Sequence, residues 1–76
     1  MKTLDTLTLD DQSVIIDTIT GDPETVVRFY ALGFIPGAPV ALYNTTAFNG
    51  PKIFSVQGSK IALRETDAQH IYVSFN

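Results

Sequence analysis

The fold of this chain is decided by the stretch Val26-Val27-Arg28-Phe29-Tyr30-Ala31-Leu32-Gly33-Phe34-Ile35-Pro36-Gly37, in which a helical pattern stops at a glycine and a Pro-Gly corner follows. Asp22 and Pro23 precede this stretch. They are typical of a helix start, because an Asp side chain accepts a free backbone amide and a Pro in the first turn has its φ already set. Gly33 suits the left-handed conformation that often follows the last helical turn. The pattern therefore predicts a helix from about Pro23 to Leu32.

The apolar spacing within this helix predicts which of its faces is buried. The residues of the predicted buried face are Val26, Phe29 and Tyr30, with Val27 beside them. They recur at intervals of three and four, as expected for one face of an amphipathic helix. On the opposite side, Glu24 and Arg28 have the spacing of an exposed ion pair.

The corner after the helix allows two interpretations. Ile35 precedes Pro36, so the helix cannot continue, and Phe34 is expected to fold back against Phe29 as a hydrophobic cap contact. In the first interpretation the corner only closes the helix. In the second, the bulky side chains of Phe34 and Ile35 are exposed at the turn and form a docking patch.

Five β-strands are predicted around the helix, because β-branched and aromatic residues alternate there between turn signals. Their predicted ranges are 14–19, 38–44, 52–56, 60–64 and 71–75. Leu4, Leu7 and Leu9 indicate a short edge segment before them. Thr66 and Gln69 have the spacing of a capping box, which predicts one helical turn. The predicted fold is mainly β: a small barrel of about five strands with one inserted α-helix and a short C-terminal helical turn.

Alternation within the strands predicts the side chains that face the core. The inward residues of the last strand are expected to be Ile71, Val73 and Phe75, and one face of the first strand is expected to hold Val14, Ile16 and Thr18. The strands at 52–56 and 60–64 are joined by Gln57-Gly58-Ser59 and should pair antiparallel. Pro39 is compatible only with a strand start or an edge.

Composition limits the class of protein. The 76 residues form a single domain, 1–76, and a hydrophobic share of 45% is that of a globular chain. Five basic and eight acidic residues give a net charge of -3, which disfavours binding to nucleic acid. The chain has no cysteine, hence neither a disulfide nor a thiolate metal site. It has neither a membrane-spanning run nor a signal peptide at its start, so the cytoplasm is the expected compartment.

Residues with catalytic or metal-binding chemistry are few and dispersed. His70 is the single histidine and is expected to lie partly exposed at the end of a capped turn. Asp10 and Asp11 are adjacent and indicate a solvated loop rather than a cation site, which needs more oxygen ligands at defined spacing. Glu24 and Glu65 stand alone. The sequence therefore predicts a protein that is not an enzyme and has no cofactor, catalytic residue or metal site.

A second exposed apolar residue is expected in the loop Thr45-Thr46-Ala47-Phe48-Asn49-Gly50-Pro51. Asn-Gly is a turn signal and the proline limits strand continuation, so Phe48 is expected at the tip. Together with the apolar corner, this loop makes a protein-interaction module the best interpretation of the residues themselves.

The order of the motifs resembles that of the FeoA family of ferrous iron transport proteins. The residues that carry the resemblance are Arg28 to Gly37, Pro51 to Val56, Ile61 to Arg64, and Ala68 to Val73. The family pattern has a helix with Leu-Gly near its end, followed by a Pro-Gly corner. A strand that ends in Ala-Leu-Arg comes next, and Ala-x-x-Ile-x-Val is the last motif. This chain departs from it at Asn49-Gly50-Pro51, where the family has Gly-Asp-Pro.

The resemblance implies an SH3-like barrel that acts in the cytoplasm on the membrane iron transporter FeoB, whose cytosolic part is a GTP-binding domain. The same module also forms the C-terminal domain of iron-dependent repressors. On this basis the expected partner-binding residues are Leu32, Gly33, Phe34, Ile35, Pro36, Gly37 and Phe48. For Leu32 and Phe34 a core position is the alternative, and Gly33 and Gly37 can serve backbone geometry alone.

Other functions stay open at this point. A generic SH3-like module that binds proline-rich peptides would need an aromatic-lined groove, to which Tyr30, Tyr43 and Tyr72 could contribute. A regulator-type domain and a small iron carrier are further alternatives. Weak self-association through apolar turns or edge strands is also compatible with the sequence.

Overall fold

The computed structural model describes residues 2–75. The strands are β1 (Lys2–Thr3), β2 (Val14–Ile19), β3 (Pro39–Asn44), β4 (Lys52–Val56), β5 (Ser59–Leu63) and β6 (Ile71–Phe75). The helices are a 3-10 helix (Leu4–Thr6), α1 (Pro23–Leu32) and α2 (Glu65–Ala68). The predicted bounds of α1 are confirmed, as is a mainly β fold with one inserted helix and a helical turn near its end. Within residues 2–75, no helix has the length and apolar character to cross a membrane.

The strands form one antiparallel sheet in the order β1-β6-β2-β3-β4-β5. The strand beyond the five predicted is β1, which lies in the N-terminal segment and pairs with β6. The Lys52 ammonium at the start of β4 donates to the Asp5 carbonyl at 2.8 Å. Asp5 follows β1, which lies four positions from β4 in the sheet, a span of about 19 Å if the sheet were flat. One lysine side chain can join them only because the sheet is strongly bent.

A single hydrophobic core fills the bent sheet. Its buried residues are Leu4, Leu7, Val14, Ile16, Phe29, Phe34, Ala38, Val40, Leu42, Phe54, Val56, Leu63, Ala68, Ile71 and Val73. Every strand from β2 to β6 contributes to this set, and the 3-10 helix and the loop after it add Leu4 and Leu7. The antiparallel pairing predicted for the strands around Gln57-Gly58 is confirmed, with Phe54 opposite Ile61 in the register. Pro39 begins β3, as expected.

The predicted faces of β2 are wrong after Ile16. Val14 and Ile16 are buried, but Thr18 is exposed and Ile19 packs against the core instead. The pairing of β2 with β6 shifts register between Ile16 and Thr18. Such a bulge adds one residue to a strand and so reverses the faces of the side chains that follow.

The buried face predicted for α1 is too wide. Only Phe29 is buried, while Tyr30 is 45% exposed and Val27 is 65% exposed. Phe34 fills the core beside Phe29, so the helix meets the core through one residue rather than a stripe. The predicted ion pair of Glu24 with Arg28 is also wrong. Arg28 instead forms an ion pair with the Asp67 carboxylate of α2 at 3.2 Å.

Two expectations near the end of the chain are corrected. Phe75 was expected inward, but it lies at the end of β6, is 48% exposed and lies under the Lys2 ammonium, 4.7 Å from its ring centroid. The capping box at Thr66 is not formed. The N-cap of α2 is Arg64, whose carbonyl accepts from the amides of Asp67 and Ala68, so the helical turn begins earlier than predicted.

Candidate functional site

The end of α1 is closed by the capping arrangement expected from the sequence. Gly33 has a φ of 104°, in the left-handed region that favours glycine. Its amide donates to the Tyr30 carbonyl at 3.0 Å, and the Phe34 amide donates to the Phe29 carbonyl at 3.0 Å. These bonds satisfy carbonyls left open at a helix end. A Cβ at position 33 would also lie only 3.1 Å from Cγ of Gln57. Gly33 therefore serves the backbone geometry of the corner.

Phe34 belongs to the core. Its side chain is fully buried, and it packs against Phe29, as the cap contact predicts. The interpretation in which the Phe34 ring lies exposed in a docking patch is therefore wrong for this structure. A helix that ends in a left-handed glycine commonly turns the next apolar residue back onto its last turn, which is the position Phe34 takes.

The remaining part of the corner presents two apolar side chains to solvent. Leu32 and Ile35 are each 37% exposed. The backbone around them is fixed: the Gly37 amide donates to the Ile16 carbonyl at 2.8 Å, and the Ala38 amide donates to the Ile35 carbonyl at 3.0 Å. The first of these bonds ties the corner to β2. Leu32 and Ile35 thus lie on an ordered corner. Val27 and Tyr30 of α1, which the apolar spacing assigns to the buried face, are exposed as well.

The loop between β3 and β4 holds the most exposed apolar residue of the described chain. The Phe48 side chain is fully exposed, and its φ is 58°, in the left-handed region. Asn49 shares this conformation, with a φ of 58°, and the Gly50 amide donates to the Ala47 carbonyl at 3.1 Å. The expectation that Phe48 lies exposed at the tip is confirmed. The two left-handed residues are Phe48 and Asn49 rather than the Asn-Gly pair.

Position 50 requires glycine because there is no room for a Cβ atom, and not because of its backbone angles. A Cβ there would collide with the Thr46 hydroxyl and lie 3.1 Å from the Ala47 carbonyl oxygen. The Thr46 hydroxyl is itself held, because it donates to the Pro51 carbonyl at 2.7 Å. The loop is therefore closed tightly below its tip, and Phe48 is raised from it into solvent.

The corner and the loop lie at opposite ends of β4. Gly33 approaches Gln57 and Val56, at the end of β4, whereas the Phe48 loop leads into its start at Lys52. Four residue steps of a strand span about 13 Å. The seven residues expected to bind a partner therefore do not form one compact patch. They form two exposed apolar points: the first consists of Leu32 and Ile35, and the second of Phe48. The length of a strand separates the two points.

The titratable groups of the described chain do not assemble into a catalytic or metal centre. No group of three or more His, Asp or Glu residues within residues 2–75 lies close enough to hold a metal ion. His70 is half-buried, with Nδ1 3.4 Å from the Thr20 hydroxyl. The Asp11 carboxylate accepts from the Thr8 amide at 2.8 Å, which closes a polar turn.

Among the carboxyl groups of residues 2–75, the one with a shifted pKa is that of Asp22. The Asp22 carboxylate accepts from the Thr25 amide at 2.8 Å at the start of α1. This hydrogen bond lowers the pKa of Asp22 from its ordinary value. The Thr25 side chain and, more weakly, the nearby His70 and Arg28 lower it further, while desolvation opposes the shift. Because the amide favours the ionised carboxylate, the shift reports helix capping rather than catalysis.

An open groove lies beside the Phe48 loop. It has a volume of about 510 Å³ and is lined by Asn49, Gly50, Pro51, Arg64, Glu65 and Thr66. The loop before β4 and the segment after β5 form its two walls. Its lining carries one cation and one carboxylate side by side, so it does not present a single sign of charge.

The comparisons with known proteins agree with this architecture. A family model described as the FeoA domain matches residues 2–74. A solved structure of the iron uptake regulatory protein FeoA is 25% identical, with a TM-score of 0.84; the match covers 95% of this chain and 93% of that one. FeoA from Stenotrophomonas maltophilia, a procaryotic SH3 domain protein solved with zinc, is 23% identical, with a TM-score of 0.80 and coverage of 97% and 91%. The comparison with curated proteins gave no match.

A transcriptional regulator contains the same fold as part of a longer chain. A manganese-dependent transcriptional repressor is 18% identical, with a TM-score of 0.83; the match covers 99% of this chain and 41% of that one. At this identity the likeness shows the fold alone. The SH3-like fold implied by the sequence resemblance is confirmed by these structures.

Proposed function

The chain belongs to the FeoA domain family, and from this premise we propose that it is a non-enzymatic, cytoplasmic accessory protein that binds the cytosolic GTP-binding part of a FeoB membrane transporter. The family comprises SH3-like proteins associated with ferrous iron transport. The Stenotrophomonas maltophilia relative is a candidate activating factor of that transport. In this proposal, binding modulates the uptake of ferrous iron.

The observation that carries the proposal is the full exposure of Phe48 in a left-handed backbone conformation. A phenylalanine ring gains nothing for the fold when it is completely solvated, and a bulky residue with positive φ is strained. Strained backbone persists where the surrounding structure holds it, and it is concentrated at functional sites. Aromatic side chains that become buried on association supply much of the energy of protein interfaces. Phe48 has the properties of such an anchor.

Leu32 and Ile35 supply the second point of contact in the proposal. They are held on an ordered corner about one strand length from the Phe48 loop. A partner that touches both points must cover the strand β4 between them. This requirement favours a folded domain with an extended surface over a short peptide that fills one pocket. Gly33, Pro36 and Gly37 shape the corner, and Phe34 supports it from the core.

The proposal is tested by titrating isotope-labelled protein with the cytosolic domain of FeoB from the same organism, with and without guanine nucleotide. Amide signals of the corner and of the Phe48 loop should shift, and the variants Phe48→Ser and Ile35→Ser should each weaken binding about tenfold or more. The variant Leu9→Ser is the matched control, because Leu9 is 57% exposed and lies outside both points. Equal binding by all three variants would remove these residues from the interface.

A further inference from the structure

Strand β5 is a free edge of the sheet. Within residues 2–75 its ladder partner is β4 alone, and the two strands are joined by the turn Gln57-Gly58. In a two-residue hairpin, the residues that flank the turn exchange backbone hydrogen bonds, and the bonded pairs then alternate along the ladder. Every second residue from Ser59 onward therefore bonds to β4. The N–H and C=O groups of Lys60 and Ala62 point the other way.

No other part of the described chain covers these groups. Outside the sheet ladder, no backbone hydrogen bond within residues 2–75 involves residues 59–63. Lys60 and Ala62 are both exposed. The edge thus offers two donors and two acceptors in the spacing of an antiparallel ladder. Such an edge accepts a further strand unless a side chain, bulge or proline blocks it.

The side chain of Lys60 is the one that could block strand pairing at this edge, but it lies away from the edge. Its ammonium lies 4.7 Å from the ring centroid of Tyr43 on β3. To reach Tyr43 the side chain crosses β4, where its register partner is the small residue Ser55. It therefore lies over the face of the sheet and leaves the backbone of the edge open. Ala62, the other outward residue, has no side chain long enough to cover it.

The positive charge along the edge favours binding of a negatively charged strand. Lys60 and Arg64 are two of the five basic residues in a chain of net charge -3, and β5 itself contains no acidic residue. Within residues 2–75 Arg64 forms no ion pair. The extended backbone of Arg64 continues the alternation of β5, so its side chain shares a face with those of Lys60 and Ala62. Two positive charges thus flank an alanine.

These charges disfavour a second copy of the chain as the occupant. A two-fold pairing centred on Ala62 places Lys60 of each copy opposite Arg64 of the other, and like charges opposite each other destabilise a sheet.

We infer that the free edge of β5 binds an extended acidic segment of another protein by strand addition. Its backbone bonds to Lys60 and Ala62, and its carboxylates pair with Arg64 and with Lys60, whose ammonium leaves the Tyr43 ring to reach the added strand. The acidic side chains of the segment lie four residues apart, matching the separation of the two cations. The apolar residues between them lie on the other face, beside Ile61. This site differs from the two apolar points proposed for FeoB but adjoins one of them, because Arg64 lines the same groove as Asn49 of the Phe48 loop.

Two synthetic peptides test the inference on the full chain without any transporter. The first is acetyl-TEVTVET-amide, and the charge-reversed control is acetyl-TKVTVKT-amide. On titration of labelled protein with the acidic peptide, the amides of Lys60 and Ala62 should shift and exchange with solvent more slowly. The basic peptide should bind about tenfold more weakly or not at all, since two favourable ion pairs become two repulsions. The double variant Lys60→Glu, Arg64→Glu should reverse this preference.

The variant Ala62→Pro separates strand addition from simple charge attraction. It removes an outward N–H without touching a bond to β4, and proline is tolerated at such an edge position. Its amide spectrum away from β5 should stay unchanged, while binding of the acidic peptide is lost.

Three outcomes would overturn the inference: equal binding of the two peptides, retained binding by a folded Ala62→Pro variant, or shifts confined to α1 and the Phe48 loop. Amide shifts that depend on protein concentration without peptide would instead assign the edge to a second copy. Failure of FeoB to bind would leave every one of these results intact.

Discussion

The ring of Phe34 meets the ring of Phe29 edge-on, with a centroid distance of 6.3 Å and an interplanar angle of 86°. This is the geometry in which the positive edge of one aromatic ring faces the negative face of another. One ring comes from α1 and the other from the corner after it, so the contact fixes the direction in which the chain leaves the helix. Both rings are fully buried.

The variant Phe34→Ala is expected to lower the free energy of unfolding by about 3 to 5 kcal/mol, as for large-to-small changes at buried aromatic residues. Urea unfolding followed by circular dichroism measures this loss. Ile35→Ala, one residue further along the same corner, should cost about 1 kcal/mol or less because its side chain is partly exposed. Similar midpoints for the two variants would contradict the core position of Phe34.

The variant Phe48→Asn is expected to raise the free energy of unfolding by about 1 kcal/mol. Asn tolerates the left-handed conformation better than a bulky residue does, and no buried area is lost. The same change should weaken binding to the partner. Phe48→Val provides the opposite control, since a β-branched residue is more strained at positive φ and should lower stability. A loss of stability in Phe48→Asn would mean that the ring packs on the fold.

The variant Gly50→Ala is expected to destabilise the protein by about 1 to 3 kcal/mol, the usual cost of inserting atoms into a filled space. Thr46→Ala should relieve part of this cost, because it removes the hydroxyl that the new Cβ would meet. A double-mutant cycle by thermal unfolding measures this coupling. Strict additivity of the two single changes would show that the contact between positions 46 and 50 is absent.

The capping bond of Asp22 predicts a pH dependence with a defined sign. The pKa of Asp22 is lowered in the folded chain and returns to its ordinary value of 3.8 on unfolding. The folded state therefore binds fewer protons between these two values. The contribution of Asp22 to stability is complete above the unfolded pKa, and it is lost as the pH falls through the folded one.

Two variants separate the cap bond from the titration of its carboxyl group. Asp22→Asn keeps a side-chain acceptor for the Thr25 amide, so it should hold its stability at neutral pH and lose this part of the acid dependence. Asp22→Ala should lose both. Melting temperatures of the three proteins from neutral to acidic pH provide the measurement. An unchanged acid dependence in Asp22→Asn would assign it to other carboxyl groups.

Local signals in the sequence were sufficient for α1 and its corner. Asp22, Pro23 and Gly33 act within one turn of the helix, so their effect does not depend on distant parts of the chain. The hairpin at Gln57-Gly58 was predictable for the same reason.

Features that depend on long-range packing were predicted less well. The bulge after Ile16 arises from the pairing of β2 with β6, residues that are far apart in the chain. The 45% exposure of Tyr30 depends on which elements pack against α1. Periodicity shows which side of a helix is apolar, but not how much of that side its neighbours cover.

The candidate site was predictable in its residues more than in its arrangement. Phe48 and Ile35 were both expected to be exposed, and both are. Their separation along β4 follows from the register of the sheet, which no local pattern contains. The open edge at Lys60 also escaped prediction, because it depends on where that side chain lies relative to Tyr43.

The place of β6 in the sheet has a consequence for protein synthesis. β6 comes last along the chain among the described strands, yet it lies between β1 and β2 in the interior of the sheet. While residues 71–75 are still inside the ribosomal exit tunnel, β1 has no strand to pair with and one edge of β2 is open. The β4–β5 hairpin needs only local contacts and can form at once. Completion of the core, with Val14 and Ile16 covered, must therefore wait until residues 71–75 have left the tunnel.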